Sequence, residues 1–412
     1  MLRQVERLPR RIAGYFRHVL RCLTGGSWWR GIALLGGLLT ATVLGALFVA
    51  WTGLVSVSAH TEHWAVTRWF LGFAMRNAVE TQSIGIEPPR LDDRTLVLKG
   101  AGHYETGCAA CHGAPGKPRS LIVQHMIPSP PYLPDHLEQW DPSELFWIVH
   151  NGLKYTAMPA WPAYERKDEV WAMVAFLQRL PTMTPAEYEA LAFGPTPAPG
   201  DGGSSALLDT LSDPLGPVLA DCARCHGAEG LGRGAGAFPK LAGQSETYLL
   251  ESLRAYANGA RKSGVMQPIA AGLDDEVLQR LARHYAQLPA DATVPATDEA
   301  DEAVEYDEAE LAQALRLAEH GAAERGVPSC TDCHGPKSGP INPAYPAIAG
   351  QYAEYLALQL ELFKSGHRGG TDYANVMHSA AQRLTPEQID QLARYYASQP
   401  WEAIERVTEP RD

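Results

Sequence analysis

Cys108-Ala-Ala-Cys111-His112, Cys222-Ala-Arg-Cys225-His226 and Cys330-Thr-Asp-Cys333-His334 are the three stretches that decide how this chain folds. Each sets two thiols three positions apart, on one helical turn, with an imidazole directly after the second. Two such thiols can add to the two vinyl groups of one porphyrin, and the adjacent His then sits below the ring plane, where it can ligate the iron. This is the spacing of c-type haem attachment. With 7 Cys and 14 His in 412 residues, chance would supply about 0.004 such matches. The competing readings are weaker. A thioredoxin-like pair needs a βαβ setting. Structural zinc needs four ligands drawn from neighbouring pairs, and these pairs lie over a hundred residues apart. The reading is three covalently attached haem c groups held by Cys108, Cys111, Cys222, Cys225, Cys330 and Cys333, with His112, His226 and His334 as iron ligands.

A haem iron with one His ligand takes a second ligand for electron transfer or keeps an open position for catalysis. Met158 lies 46 residues after His112, Met266 lies 40 after His226, and Met377 lies 43 after His334. A lone Met usually fills a core gap, but three at nearly equal distances from three motif histidines point to thioether ligation. Rivals are His378 at the third site and His125 and Met126 at the first. His103, His136 and His150 read as surface or capping histidines. Pro239 and Pro346, 13 and 12 residues after their histidines, could orient the imidazole or merely turn a loop. Arg261 and Arg368 could neutralise haem propionates or lie on a solvated face. Tyr285, Tyr396 and Phe176 read as core aromatics near the porphyrin.

Residues 222–289 align with 330–400: Leu241-Ala242-Gly243-Gln244 matches Ile348-Ala349-Gly350-Gln351, and Leu281-Ala282-Arg283-His284-Tyr285 matches Leu392-Ala393-Arg394-Tyr395-Tyr396. A more distant third copy spans about 97–182. Asp141-Pro142-Ser143-Glu144 and Thr385-Pro386-Glu387-Gln388 order an N-cap, a first-turn Pro and a capping-box residue. Leu249, Leu250, Leu253 and Tyr256 recur at helical spacing before Gly259, a candidate C-cap. No alternating strand pattern appears in the copies. The expected fold is therefore all-α, and such small domains need a cofactor to fill their interiors.

Seven arginines and one Glu precede the charge-free run Gly31–Val57. That run is long enough to cross a bilayer, and the arginine excess predicts a cytoplasmic N-terminus. A cleaved signal peptide ending near Val57-Ser58-Ala59 is the competing reading; either exports residues 60–412. Removing 1–57 takes seven of the 35 basic and one of the 47 acidic residues away, leaving 28 against 46 and a net of −18. This acidic bulk suits a basic redox partner and excludes nucleic acid as a ligand. Trp64, Trp69, Phe70 and Phe73 could sit at a membrane interface or pack on the first domain. The expected organisation is a basic segment and transmembrane anchor (1–58), a connector (59–96), domain 1 (97–194), a Pro/Gly/Ser linker (195–212), domain 2 (213–290), an acidic linker (291–314) and domain 3 (315–412).

The second and third copies share Cys-X-X-Cys-His-Gly, Pro-X-(Leu/Ile)-Ala-Gly-Gln-X-X-Tyr-Leu, Gly-X-Arg, the aligned Met and a closing Leu-Ala-Arg-X-Tyr-Ala-X-X-Pro segment. Over about 215–402 they resemble the dihaem cytochrome c-four class. The first copy, with Asn151-Gly-Leu-Lys-Tyr-Thr-Ala-Met-Pro-Ala-Trp161, resembles single-haem domains of bacterial membrane-anchored cytochromes. The resemblance implies three tandem class I cytochrome c folds, His/Met ligation and a periplasmic location at a bacterial inner membrane. It implies a respiratory electron carrier, as subunit of or donor to a haem-copper terminal oxidase. Alternatives are the cytochrome subunit of a membrane dehydrogenase, or a multihaem peroxidase or sulfur-compound oxidase with one open haem. No residue is assigned a catalytic role. The approach from His226 to Met266, three residues shorter than that from His334 to Met377, would let those two haems differ. Haem quantification is expected to return three haems per chain, and the double variant Cys222→Ser/Cys225→Ser to return two.

Overall fold

A computed structural model describes residues 27–194, 215–234, 236–289, 308–335 and 341–400. The expected 195–212 linker, most of the 291–314 linker and the seventh cysteine, Cys22, lie outside those residues. The chain divides into two units, Met1–Ala65 and Val66–Asp412.

In the first unit, α1 (Trp28–Thr52) is a 25-residue helix with no buried residue, closed by Gly53 in the left-handed conformation. It rises about 38 Å, and its composition and length suffice to cross a membrane. The second unit starts at the second residue of α2 (Ala65–Gln82), a helix whose only buried residue is Val79. Trp69, Phe70 and Phe73 on it are exposed, so the packing of these rings against the first copy is not what forms.

The first copy is built on α3 (Arg94–Gly107) crossing α5 (Lys167–Arg179), with α4 (Pro142–Asn151) and α6 (Pro185–Phe193) packed around them. The expected Asp141/Glu144 capping box opens α4, and a second box, Thr184/Glu187, opens α6. The core turns on three fully buried rings: Tyr104 lies 5.1 Å from Phe176 and 6.2 Å from Tyr188, edge-on to the latter. Such pairs contribute beyond their buried area.

In the second copy, α7 (Gly216–His226) runs directly into the Cys222–His226 motif. Then come α8 (Glu246–Ala257) and α9 (Asp275–Gln287), which pack on each other. Helix α8 is capped by Asn258, one residue earlier than the sequence suggests, and Gly259 takes the left-handed φ of +73° just beyond it.

The third copy packs α10 (Glu308–His320) and α11 (Ala353–Lys364) against α13 (Pro386–Ser398), with α12 (Ala374–Ala381) against α11. The Thr385/Gln388 capping box forms as expected. Helix α10 begins inside the stretch read as acidic linker, and Ala314 is buried in the core with Leu392 and Tyr396. Residues 308–314 therefore belong to the third copy. Their acidic residues read as a solvated connector, yet Leu311, Ala314, Leu317 and Ala318 fall at helical spacing. Among the described residues there is no extended strand, only isolated bridges such as Ala114 with Lys117.

The second and third copies exchange the same residue. Gln244 Nε2 donates to the Ala347 carbonyl at 2.6 Å and its Oε1 accepts from Ala347 N at 3.0 Å. Gln351 Nε2 donates to the Lys240 carbonyl at 3.1 Å and its Oε1 accepts from Lys240 N at 3.1 Å. These are the glutamines of the matched Ala-Gly-Gln segments, so sequence duplication appears here as reciprocal pairing across an interface. Replacing Phe176 by Ala removes the ring joining Tyr104 and Tyr188; the expected cost is about 3–5 kcal/mol of first-copy stability, measured by denaturant unfolding.

Candidate haem-binding site

Each Cys-X-X-Cys-His stretch forms a single helical turn: Ala109–His112 after Cys108, the last turn of α7, and Thr331–His334 after Cys330. The turn ends on a glycine at positive φ: Gly113 at 71°, Gly227 at 77° and Gly335 at 70°. At Gly113 a Cβ would also come within 2.6 Å of the Tyr132 ring, so space as well as backbone requires glycine. The exit is fixed by tyrosines. Tyr104 Oη donates to the Gly113 carbonyl at 2.6 Å, and Tyr396 Oη to the Gly335 carbonyl at 3.2 Å.

Every motif histidine is held on its ring. Nδ1 of His112 donates to the Pro131 carbonyl at 3.0 Å, that of His226 to Pro239 at 3.2 Å, and that of His334 to Pro346 at 2.9 Å. A carbonyl only accepts, so Nδ1 carries the proton and Nε2 keeps its lone pair for a metal. Burial pushes all three imidazoles toward their neutral form. Of the two readings of Pro239 and Pro346, orienting the ring is the one their carbonyls perform. Pro131, 19 residues after His112 rather than 12 or 13, was not visible in the spacing.

Burial pushes Cys108 up to about 12 and Cys222 and Cys330 up to about 11, where a redox-active or zinc-binding pair needs its pKa lowered. Among the described residues no group of three or more His, Cys, Asp or Glu could hold a metal ion alone.

The three methionines are half-buried. Met158 lies in the loop after α4, with its N–H bonded to Thr156 Oγ1 at 3.1 Å. Met266 opens the short helix Met266–Ala271, with its N–H on Ser263 Oγ at 3.1 Å. Met377 sits mid-way along α12 beside Phe363 and Leu360. Of the rivals, His378 is engaged through Nε2 on the Arg368 carbonyl, whereas His125 bonds the Leu121 carbonyl through Nδ1 at 2.7 Å, which leaves its Nε2 able to ligate.

Arg261 is buried, not on a solvated face. Its described partners are Ser252 Oγ at 3.1 Å, the Tyr256 ring at 4.6 Å and Tyr248; no carboxylate pairs with it among the described residues. A buried guanidinium calls for an anion, and a haem propionate is one the donor set of this site would bring. Arg368 reaches Tyr248 Oη at 3.1 Å across the copies. Taken together, these residues fit the porphyrin that the motifs imply.

Two further histidines are not where the sequence put them. His150 is buried on the Tyr164 carbonyl, and His103 is buried with Nδ1 lacking any hydrogen-bond partner among the described residues. His136 does serve as a cap, on the Tyr132 carbonyl at 2.8 Å. Sequence reading also missed Trp161, Arg166, Glu169 and Ser263, which meet between the first and second copies. No spacing signal could reveal them, because the two sides are about a hundred residues apart.

A family model for cytochrome c matches residues 217–311 and 320–399, and one for cytochrome c oxidase, cbb3-type, subunit III matches residues 95–177. The thiosulfate dehydrogenase electron acceptor of Thiomonas intermedia is 37% identical over 185 residues, covering 45% of this chain and 81% of that protein. Its counterpart in Stutzerimonas stutzeri is 38% identical over 183 residues, 44% of this chain and 80% of that protein. Cytochrome c4 of Pseudomonas aeruginosa is 32% identical over 177 residues, 43% and 82% respectively.

Burial, with Lys99 and Arg166 nearby, pushes His103 from 6.5 down to about 3. The folded chain then stays unprotonated there while the unfolded chain takes up a proton below pH 6.5. Stability from this group is complete above pH 6.5 and falls by about 1.4 kcal/mol per unit toward pH 3. Between pH 7 and 5, wild type is expected to lose about 2 kcal/mol more than His103→Phe in denaturant unfolding; parallel losses would discount the effect.

Proposed function

This chain belongs to the c-type cytochromes, and from that premise we propose a relay of three haems that takes electrons from an exported dehydrogenase and hands them to a terminal oxidase. Its chemistry is electron transfer. Bound haem c supplies the one-electron iron couple, and the protein sets where it sits and how it is tuned. Three Nδ1–carbonyl bonds, each leaving Nε2 of a motif histidine free for iron, carry the reading.

The rest of the reading follows from what the residues do. Cys108, Cys111, Cys222, Cys225, Cys330 and Cys333 would attach the porphyrins. Met158, Met266 and Met377 would close the sixth positions, since a thioether favours the reduced iron and raises the potential relative to bis-His ligation. Arg261 would offset a propionate charge. The Gln244 and Gln351 exchange holds the second copy on the third. Closer to the N-terminus, Gly102 of α3 packs so tightly that a Cβ there would meet Phe238 at 2.9 Å and Cys225 Sγ at 3.3 Å. A haem-attaching thiol of the second copy therefore lies directly against the first.

Likeness to the two thiosulfate dehydrogenase electron acceptors supports a dehydrogenase as electron donor. The first copy's likeness to an oxidase subunit supports an oxidase as acceptor. Helix α1 would tether the haem-bearing part to the outer face of an inner membrane. The surplus of 18 acidic residues beyond it suits a basic docking face on the partner.

A carbon monoxide difference spectrum on the dithionite-reduced protein tests the relay. Three haems, none of which binds the gas, are expected; stoichiometric binding at one haem would point to an open catalytic iron instead. Electron delivery to the protein from a dehydrogenase with a basic docking face is expected to slow as salt rises, because screening removes long-range attraction.

A further inference from the structure

Among the copies' contacts, one buried carboxylate touches two ligand-bearing loops. Glu169 on α5 of the first copy is 4% exposed. Its Oε1 accepts from Ser263 Oγ at 2.7 Å, and its Oε2 accepts from Gly264 N at 2.6 Å; both donors belong to the second copy. The same Oε2 accepts from Trp161 Nε1 at 3.1 Å. Trp161 stands three residues after Met158, and Ser263 three residues before Met266.

The contacts form a chain that ends at the methionine. A serine hydroxyl has one proton to give and two lone pairs to offer. Ser263 gives its proton to Glu169 and accepts from Val265 N at 3.2 Å and Met266 N at 3.1 Å. The hydroxyl is thus fully used, and its orientation is set by the carboxylate. Arg166, also buried, lies 3.0 Å from Glu169 and donates to the Lys262 carbonyl at 2.9 Å, gripping the loop one residue earlier. Gly264 lies against the Trp161 indole so closely that no Cβ would fit between them. Residues 262–264 are therefore held on consecutive positions by the first copy, and the hold passes through Ser263 to the Met266 amide.

We propose that Glu169 is a positioning residue for the sixth ligand of the second haem. Through Ser263 it fixes the Met266 loop, so the strength of the second haem's thioether bond depends on docking of the first copy. The Trp161 contact sets the Met158 loop against the same carboxylate, which makes this one group a joint between neighbouring sites. Burial pushes the Glu169 carboxyl up, yet both its oxygens meet only donors, from Ser263, Gly264, Trp161 and the Arg166 guanidinium, and four such bonds shielded from bulk water make it a stiff anchor. The proposal rests on the reading of Met266 as ligand.

The test displaces the thioether with imidazole in the oxidised full-length haem-loaded protein. Displacement is followed by the near-infrared sulfur-to-iron charge-transfer band, with the potential of each haem measured beside it. Met266→Ala identifies which of the three irons Met266 serves. Glu169→Gln, which removes acceptors on one oxygen, and Ser263→Ala, which breaks the chain from the loop side, are expected to let imidazole displace the thioether at that same iron at least about tenfold more readily. The band of the third haem, which Glu169 does not touch, should stay in place, and Ser263→Ala should leave the band of the first haem in place as well. If Met266→Ala exposes an iron while both other variants titrate like wild type, the positioning role is wrong. If Met266→Ala leaves all three bands intact, the ligand assignment itself falls, and the proposal with it. Should Glu169→Gln fail to mature, Ser263→Ala, which keeps the carboxylate paired with Arg166, decides between these outcomes.

Discussion

The hydrogen bond from a motif imidazole Nδ1 to a proline carbonyl is the constraint around which each copy is arranged. It settles the tautomer, aims Nε2 and ties the one-turn Cys-X-X-Cys-His helix to a loop that arrives from further along the chain. Because the carbonyl must come from that loop, the chain has to double back after the positive-φ glycine. The tyrosines that bond the Gly113 and Gly335 carbonyls hold the start of that return. The remaining helices form small domains with modest cores, which are the kind that a cofactor is needed to complete.

Between the copies, polar contacts follow two different patterns. Gln244 and Gln351 each use amide and carbonyl on the backbone of the opposite copy, which is a symmetric solution to joining two related surfaces. The first and second copies are joined differently. There Leu98 packs on Phe238, Arg233 donates to the carbonyls of Ala190 and Leu191, and the Arg166–Glu169 pair is buried against the Lys262–Gly264 backbone. A duplicated pair can share one motif across its interface, whereas a diverged copy has to build its own.

Much of the site was legible beforehand because haem attachment is a local requirement. Two thiols and an imidazole must share one helical turn, so six cysteines and three histidines can be read from spacing. Capping boxes at Asp141 and Thr385 were legible for the same reason: their partners lie three residues away. The start of α10 was misread since its acidic residues mask an apolar face. His103 and His150 read as surface or capping groups because burial depends on which helices cross, and α3 crossing α5 is not written in either segment.

By itself, then, the sequence determined the all-α character of the chain, its duplicated second and third copies, an apolar N-terminal helix and the identity of the haem-attaching turns. All of these arise from covalent spacing or from periodicity within a few turns of helix. Only the tertiary structure decided that Pro131, Pro239 and Pro346 pin the imidazoles through their carbonyls, that Arg261 is a buried cation, and that Glu169 reaches from one copy to Ser263 and Gly264 of the next. Those features join residues from about ten to more than ninety positions apart, and a hydrogen bond forms over about three ångströms of space regardless of distance along the chain.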